Sequence, residues 1–200
     1  MPRRIPTSSA IYKKLRKLKT PEKVQDFVNK TPFNLEKRGE TYRSVEESLK
    51  AGMAHCFEGA LIACASLQMQ GHKPLLLDLR TTDKDADHVV ALFKRRGYWG
   101  AISKTNHAVL RYREPIYKSV RELAMSYFHE YFLDNGMKTM RKFSKPFNLN
   151  KTKIDWLFSK KDLFELVDAL DDSPHENVLP KGHKLRKADK VEIKAGKITA

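Results

Sequence analysis

A segment rich in small residues, between Ala54 and Gly71, leaves the chain few folding alternatives. Its larger apolar side chains recur at the three- and four-residue spacing of an α-helix, and Gly71 provides a stop. Because Gly59, Ala60 and their neighbours are small, other elements can pack closely around such a helix. The segment therefore predicts a central, largely buried helix.

Short apolar runs follow this helix and predict an antiparallel sheet. Residues 75–79 have the length and composition of a buried strand. Residues 88–93 and 98–103 flank a basic turn that ends in Gly97, which is the pattern of a β-hairpin.

Further elements are expected on both sides of this core. Thr20 and Ser44 are placed as N-caps of two short helices. Residues 109–113 predict another strand, and Pro115 is expected to open a helix. A last apolar helical pattern covers residues 163–170.

The length and composition favour one domain. Two hundred residues, 40% of them hydrophobic, suffice for a single core. We expect an α+β domain over residues 21–173, preceded by a basic N-terminal arm over residues 1–20. Residues 174–200 lack a sustained apolar period, so we expect a basic, flexible C-terminal tail there.

The net charge of +15 resides mainly at the ends of the chain. Residues 1–20 hold seven Lys/Arg and no acid, and residues 181–200 hold seven Lys/Arg against two acids, which leaves +3 for the rest. Charged arms of this kind are usually solvated. The alternative is weak contact with nucleic acid through the arms, independent of its sequence.

The two cysteines, Cys56 and Cys64, bear on the cellular compartment. On one helix they would lie about 12 Å apart, whereas a disulfide needs Cα atoms within about 7 Å. We therefore expect two free thiols, which suits the cytoplasm. The basic first residues lack the apolar run of a secretory signal, and no stretch has the length of a membrane span, so we expect a soluble protein without a membrane partner.

Cys56 is the candidate nucleophile, because it lies where the central helix should begin. Unpaired N–H groups and the helix dipole lower the pKa of a thiol at that position. His88 opens a predicted strand and would lower this pKa further if the two side chains met. The alternative is that Cys56, like Cys64, is a small core residue and that His88 is a hydrogen-bonded strand-end histidine.

No metal or cofactor is expected. The residues that are candidates for a zinc site are His55, Cys56, His88 and His107. No CxxC or HxxxH spacing links them, and His129 lacks the second histidine of a zincin helix.

The order of these elements resembles the core of the transglutaminase-like superfamily of papain-like cysteine enzymes. The matching features are the segment Gly52-Met53-Ala54-His55-Cys56-Phe57-Glu58-Gly59-Ala60 with its continuation to Gly71-His72-Lys73-Pro74, the strand-leading His88, and Gly97-Tyr98-Trp99. The resemblance covers residues 45–115, a third of the chain.

This resemblance implies that Cys56 faces His88 from the start of a helix packed on an antiparallel sheet. Cys56 would attack an amide carbonyl, with His88 as acid and base, and pass the acyl group to water or to an amine. The third residue in this family is an aspartate on the strand after the tryptophan, and Ser103 occupies the matching position. Asn106, just beyond, is the substitute for that role.

We therefore expect a cysteine-dependent amide hydrolase or acyltransferase whose substrate is a protein or peptide. The alternative is a catalytically inactive domain of the same fold that binds a protein or nucleic acid. Alkylation of Cys56 ahead of Cys64 at mildly acidic pH would distinguish the two.

Overall fold

The structure is a computed structural model, and it describes residues 4–37 and 39–197. Within these residues the chain forms seven α-helices and one open antiparallel sheet of seven strands, an α+β architecture as expected. The helices are α1 (Ala10–Leu15), α2 (Pro21–Lys30), α3 (Val45–Ala51), α4 (Cys56–Met69), α5 (Val120–Phe128), α6 (Phe164–Asp171) and α7 (Lys190–Gly196). The strands are β1 (Leu75–Arg80), β2 (His88–Arg95), β3 (Tyr98–Ser103), β4 (Arg113–Tyr117), β5 (Lys142–Ser144), β6 (Phe147–Asn148) and β7 (His175–Asn177).

Side-chain caps define the helices that precede the core. Thr20 Oγ1 accepts a hydrogen bond from the backbone N–H of Lys23 at the start of α2, and Ser44 Oγ accepts one from Glu47 at the start of α3. Gly52 ends α3 with a φ of 69°, a left-handed conformation that favours glycine. These caps confirm the two predicted helices, and Gly52 turns the chain towards α4.

The sheet has the strand order β4-β3-β2-β1-β5-β7, and β6 also pairs with β1. The predicted hairpin of β2 and β3 is confirmed, with Val90 opposite Ser103 and with Arg96 and Gly97 at positive φ in the turn. This register brings the start of β2 close to the end of β3.

Helix α4 is the centre of the core, and every residue from Phe57 to Leu67 is buried. It packs on the sheet face that carries Leu76 and Ala91, whereas Leu77 and Val90 belong to a second apolar cluster with α5. The alternation follows from the two-residue period of a strand. The prediction of a central, buried helix is confirmed.

The region around Pro115 differs from the expectation. The strand lies at Arg113–Tyr117 rather than at residues 109–113, and Pro115 lies within it instead of opening a helix. β4 is an edge strand, where the missing N–H of proline is tolerated. The helix begins later, at Val120, after the N-cap Ser119.

Described parts of the expected arm and of the expected tail pack on the domain. Ile11 and Leu15, from the expected basic arm, are fully buried in the cluster around α4. In the expected tail, β7 pairs with β5, and Val178 and Ala188 are buried. Residues 1–3 and 198–200 lie outside the described residues, and the domain limits and the flexibility of the tail stay predictions.

None of the helices within residues 4–37 and 39–197 combines the length and the apolar composition needed to cross a bilayer.

Candidate functional site

A cleft of about 610 Å³ opens beside the first residue of α4. Half-buried Cys56 lines this cleft, and so does His88, the first residue of β2. Tyr131, which also lines it, donates a hydrogen bond from its hydroxyl to the carbonyl oxygen of Ala86 at 2.6 Å. This bond holds the end of the loop that leads into His88.

Ser103 fixes the orientation of the His88 ring. The Nε2 atom of His88 lies 2.8 Å from Ser103 Oγ, and that hydroxyl also contacts the carbonyl oxygen of Leu110. Because a carbonyl oxygen only accepts, the hydroxyl donates its proton to Leu110 and accepts one from Nε2–H of His88. The other ring nitrogen, Nδ1, is therefore the one available for proton transfer.

The environment of Cys56 favours the thiolate. Burial by itself would raise the pKa of this thiol. Hydrogen bonds from His55 and His88, together with the charges of the two rings, outweigh burial and lower the pKa to about 5. Cys56 and His88 thus line one cleft, and Ser103 is hydrogen-bonded to His88.

His55, which the sequence offered only as a zinc candidate, is a second imidazole at the thiol. Its Nδ1 lies 4.0 Å from Cys56 Sγ, and its Nε2 donates to the carbonyl oxygen of Thr41 at 2.6 Å. Burial would lower the pKa of His55, but the contact with Cys56 and the charges of Cys56 and Glu58 raise it to about 9.

Glu58 has a carboxylate oxygen 3.8 Å from Nε2 of His55, and its side chain is fully buried. Its carboxylate accepts hydrogen bonds from the side chains of Asn34, Thr41 and Arg43 and from the backbone N–H groups of Arg43 and His55. The bond to the His55 backbone closes the first turn of α4, in the manner of a capping box. This capping role of Glu58 was not predicted from the sequence. The signal that could have shown it is a glutamate three residues after the N-cap position.

Asn106, the substitute for the third position, lies on the loop after β3 and lines the same cleft. Among the residues that the structure describes, the hydrogen bond on Nε2 of His88 is made by Ser103 and not by Asn106. The backbone N–H and carbonyl groups of Ser103 are both hydrogen-bonded to the side chain of Gln25 in α2. The position that the resemblance indicated is thus occupied by a serine that is fixed on three sides.

Cys64 lies in the core, as predicted. Its Sγ donates to the carbonyl oxygen of Leu75 at 3.4 Å, and burial raises the pKa of this thiol well above the usual range. Both cysteines are free thiols. Only Cys56 combines a lowered pKa with access to the cleft.

A group of three carboxylates lies at the end of β1. Oxygen atoms of Asp78, Asp87 and Asp171 are within 4.8 Å of one another, which is close enough to bind a metal ion. The guanidinium of Arg80 forms ion pairs with all three, at 3.7, 3.6 and 3.1 Å. This arginine already compensates the negative charge that would attract a cation.

A scan of the chain against protein-family models finds no match, and neither does a search of curated protein sequences.

Proposed function

We infer that the protein is a cysteine-dependent amide hydrolase or acyltransferase of the transglutaminase-like, papain-like type. Cys56 is the nucleophile, His88 the general acid and base, and Ser103 the residue that orients His88. The observation that supports this most directly is a half-buried thiol at a helix start that has a lowered pKa and lines the same cleft as the His88 imidazole. The imidazole is held in one orientation by the hydroxyl on its other side.

The reaction begins with attack of the Cys56 thiolate on an amide carbonyl. Backbone N–H groups in the first turn of α4 are placed to stabilise the oxyanion, because helix starts carry unpaired donors. Protonated His88 donates its Nδ1 proton to the departing amine, and the acyl group stays on sulfur as a thioester. Neutral His88 then takes a proton from water or from a second amine, which attacks the thioester and releases the thiolate.

Ser103 supports this cycle differently from an aspartate. Its hydroxyl accepts the Nε2 proton and so keeps Nδ1 directed to the reaction, but it supplies no negative charge to stabilise an imidazolium. Asn106 is the alternative residue for this role.

The proposed substrate is a peptide or protein amide, and the proposed location is the cytoplasm. The walls of the cleft combine apolar side chains with polar ones, and a volume of about 610 Å³ accommodates a side chain with its flanking peptide groups. The apolar wall includes Phe33, Val109, Leu110, Phe132 and Ile193. The last of these comes from α7.

The test uses the two thiols as probes. At about pH 6, iodoacetamide should label Cys56 well ahead of Cys64, because only a thiolate reacts. p-Nitrophenyl acetate should leave an acetyl group on Cys56, detected by peptide mass spectrometry, and release nitrophenolate over repeated turnovers. Cys56→Ser should abolish both signals, and Cys64→Ser is the matched control. Equal, slow labelling of both cysteines would overturn the proposal.

A catalytically inactive domain that binds a protein or nucleic acid is the second candidate. The uncharged Ser103 in place of an aspartate favours it. In that case the affinity for a random-sequence RNA should fall steeply with added salt and should be the same for the Cys56→Ala variant.

A further inference from the structure

The Cys56 thiol has imidazoles on two sides, and their surroundings differ. His88 is bonded to a neutral hydroxyl, that of Ser103. His55 is bonded to the Thr41 carbonyl oxygen, and carboxylate oxygens of Glu36 and Glu58 lie 3.8 Å from its Nε2. The two rings are therefore suited to different tasks.

The surroundings of His55 favour a protonated ring. Its side chain is 8% exposed and that of Glu58 is fully buried, so little water screens the attraction between them. The Thr41 carbonyl oxygen accepts a hydrogen bond from Nε2–H, and in the protonated ring Nδ1–H is then the donor towards Cys56 Sγ. The Glu58 carboxylate, the His55 ring and the Cys56 sulfur thus follow one another in space.

We propose that His55 is a permanent counter-charge to the Cys56 thiolate, which leaves His88 free to gain and lose a proton during acyl transfer. This rests on the proposed function, in which Cys56 is the nucleophile. His55 keeps its proton throughout the cycle, and the only proton that moves is the one that His88 passes to the departing amine and recovers from water or a second amine. The pKa of His55, raised to about 9, agrees with this role.

The separate roles of His55 and His88 account for a serine, rather than an aspartate, beside His88. In a cysteine–histidine–aspartate arrangement the carboxylate stabilises the imidazolium of the ion pair. Here the carboxylates of Glu58 and Glu36 lie near the other imidazole, that of His55, and stabilise its positive charge. Ser103 then needs only to orient His88, for which a hydroxyl suffices.

Several other titratable groups face this cluster, and they leave the assignment unchanged. Burial is the main cause of the raised pKa of Tyr42, about 12, and of the raised pKa of Tyr131, so both phenols are neutral near pH 7. The groups around the two imidazoles are Glu36, Tyr42 and Arg43 before α3, Glu58 in α4, Asp85 and Asp87 before β2, Lys104 after β3 and Tyr131 after α5.

The experiment compares the pH dependence of Cys56 alkylation by iodoacetamide in the wild type, His55→Gln and His88→Gln. His55→Gln should lower the rate at about pH 6 by at least tenfold, since each unit of thiol pKa changes the thiolate fraction tenfold. His88→Gln should keep most of the labelling but stop turnover of p-nitrophenyl acetate. His129→Gln is the matched control, because His129 is exposed at the end of α5.

A measurement on the wild type tests the inference even if a histidine variant does not fold. Titration of histidine ring signals by NMR should show one imidazole that stays protonated up to about pH 9 and that loses its proton at lower pH in Cys56→Ser. If His88→Gln abolishes low-pH labelling and His55→Gln does not, the inference is wrong and the proposed function stands. If Cys56 of the wild type reacts only near pH 8.5 and above, as an ordinary thiol does, both are wrong.

Discussion

Gln25 hydrogen-bonds both backbone groups of Ser103. Its Nε2 donates to the Ser103 carbonyl oxygen at 2.8 Å, and its Oε1 accepts from the Ser103 N–H at 2.9 Å. On its other side Ser103 pairs with Val90, whereas the pairing of β3 with β4 reaches only Ala101. A side chain of α2 therefore takes the place of a neighbouring strand at the end of β3.

Gln25→Ala should destabilise the protein and impair the acid–base step together. It leaves two backbone groups of Ser103 unpaired in a buried environment, at about 1–3 kcal/mol each, so we expect a loss of at least about 2 kcal/mol in urea unfolding. Turnover of p-nitrophenyl acetate should fall more than Cys56 alkylation, because the His88 orientation suffers and His55 is untouched. Asn29→Ala, an exposed partner of the same glutamine, should lose less than about 1 kcal/mol. Equal effects of the two variants would contradict the role of Gln25.

Ser103 should tolerate neither removal nor conversion to the aspartate that the resemblance implies. Ser103→Ala removes the acceptor for His88 Nε2–H, and we expect turnover of p-nitrophenyl acetate to fall by about 10²-fold. Ser103→Asp should not restore it, because a carboxylate cannot donate to the Leu110 carbonyl and would place a buried negative charge against that carbonyl oxygen. Full activity of the aspartate variant would show that the hydroxyl bond to Leu110 has no importance.

A matched control for this pair is Ser66→Ala. Ser66 is buried on α4, and among the described residues its hydroxyl has no hydrogen-bond partner. Loss of that hydroxyl should leave turnover unchanged and stability within about 1 kcal/mol of the wild type.

Gly59→Ala should strain the wall of the site. A methyl group at Gly59 would lie 2.3 Å from Cβ and 2.7 Å from Cγ of Lys104, whose Nζ donates to the Thr31 carbonyl oxygen at 2.5 Å. Because the close contact includes a Cβ, rotation of the lysine side chain cannot relieve it, and we expect a loss of about 1–3 kcal/mol in thermal or urea unfolding. In a Lys104→Gly background the same substitution should cost markedly less. An unchanged cost there would mean that the strain arises elsewhere.

The ion pair of Glu22 and Arg95 should contribute stability that depends on acid pH. The side-chain hydrogen bond to Arg95, at 2.6 Å, lowers the pKa of Glu22 from 4.5 to about 2. Because the folded pKa is the lower one, the stabilisation is present above pH 4.5 and is lost as the pH falls through about 2. Both side chains are more than 40% exposed, so Glu22→Gln should cost no more than about 1 kcal/mol at pH 7. Urea unfolding of the two proteins should converge towards pH 2, and a constant difference would exclude the ion pair as its cause.

Local patterns predicted much of this fold. Thr20 and Ser44 cap helices because each side chain bonds a backbone N–H three residues away, and such a contact depends on neighbouring residues alone. The same local reasoning was wrong at Pro115, since a proline suits both the first turn of a helix and an edge strand. Pairing of β4 with β3, a contact between separate stretches, decided between them.

From residue patterns alone, the candidate site, like the fold, was predicted only where it depends on neighbouring residues. The amino-acid order alone placed Cys56 at the start of an apolar helix and Cys64 within it, because helical periodicity is a local property. Two contacts between residues apart in the chain were not predicted: that between Gln25 and Ser103 spans 78 residues, and that between His55 and Thr41 spans 14. Packing of α2 and of the segment before α3 against α4 and the sheet formed these contacts. They decide that Ser103 orients His88 and that a second, carboxylate-flanked imidazole lies beside the thiol.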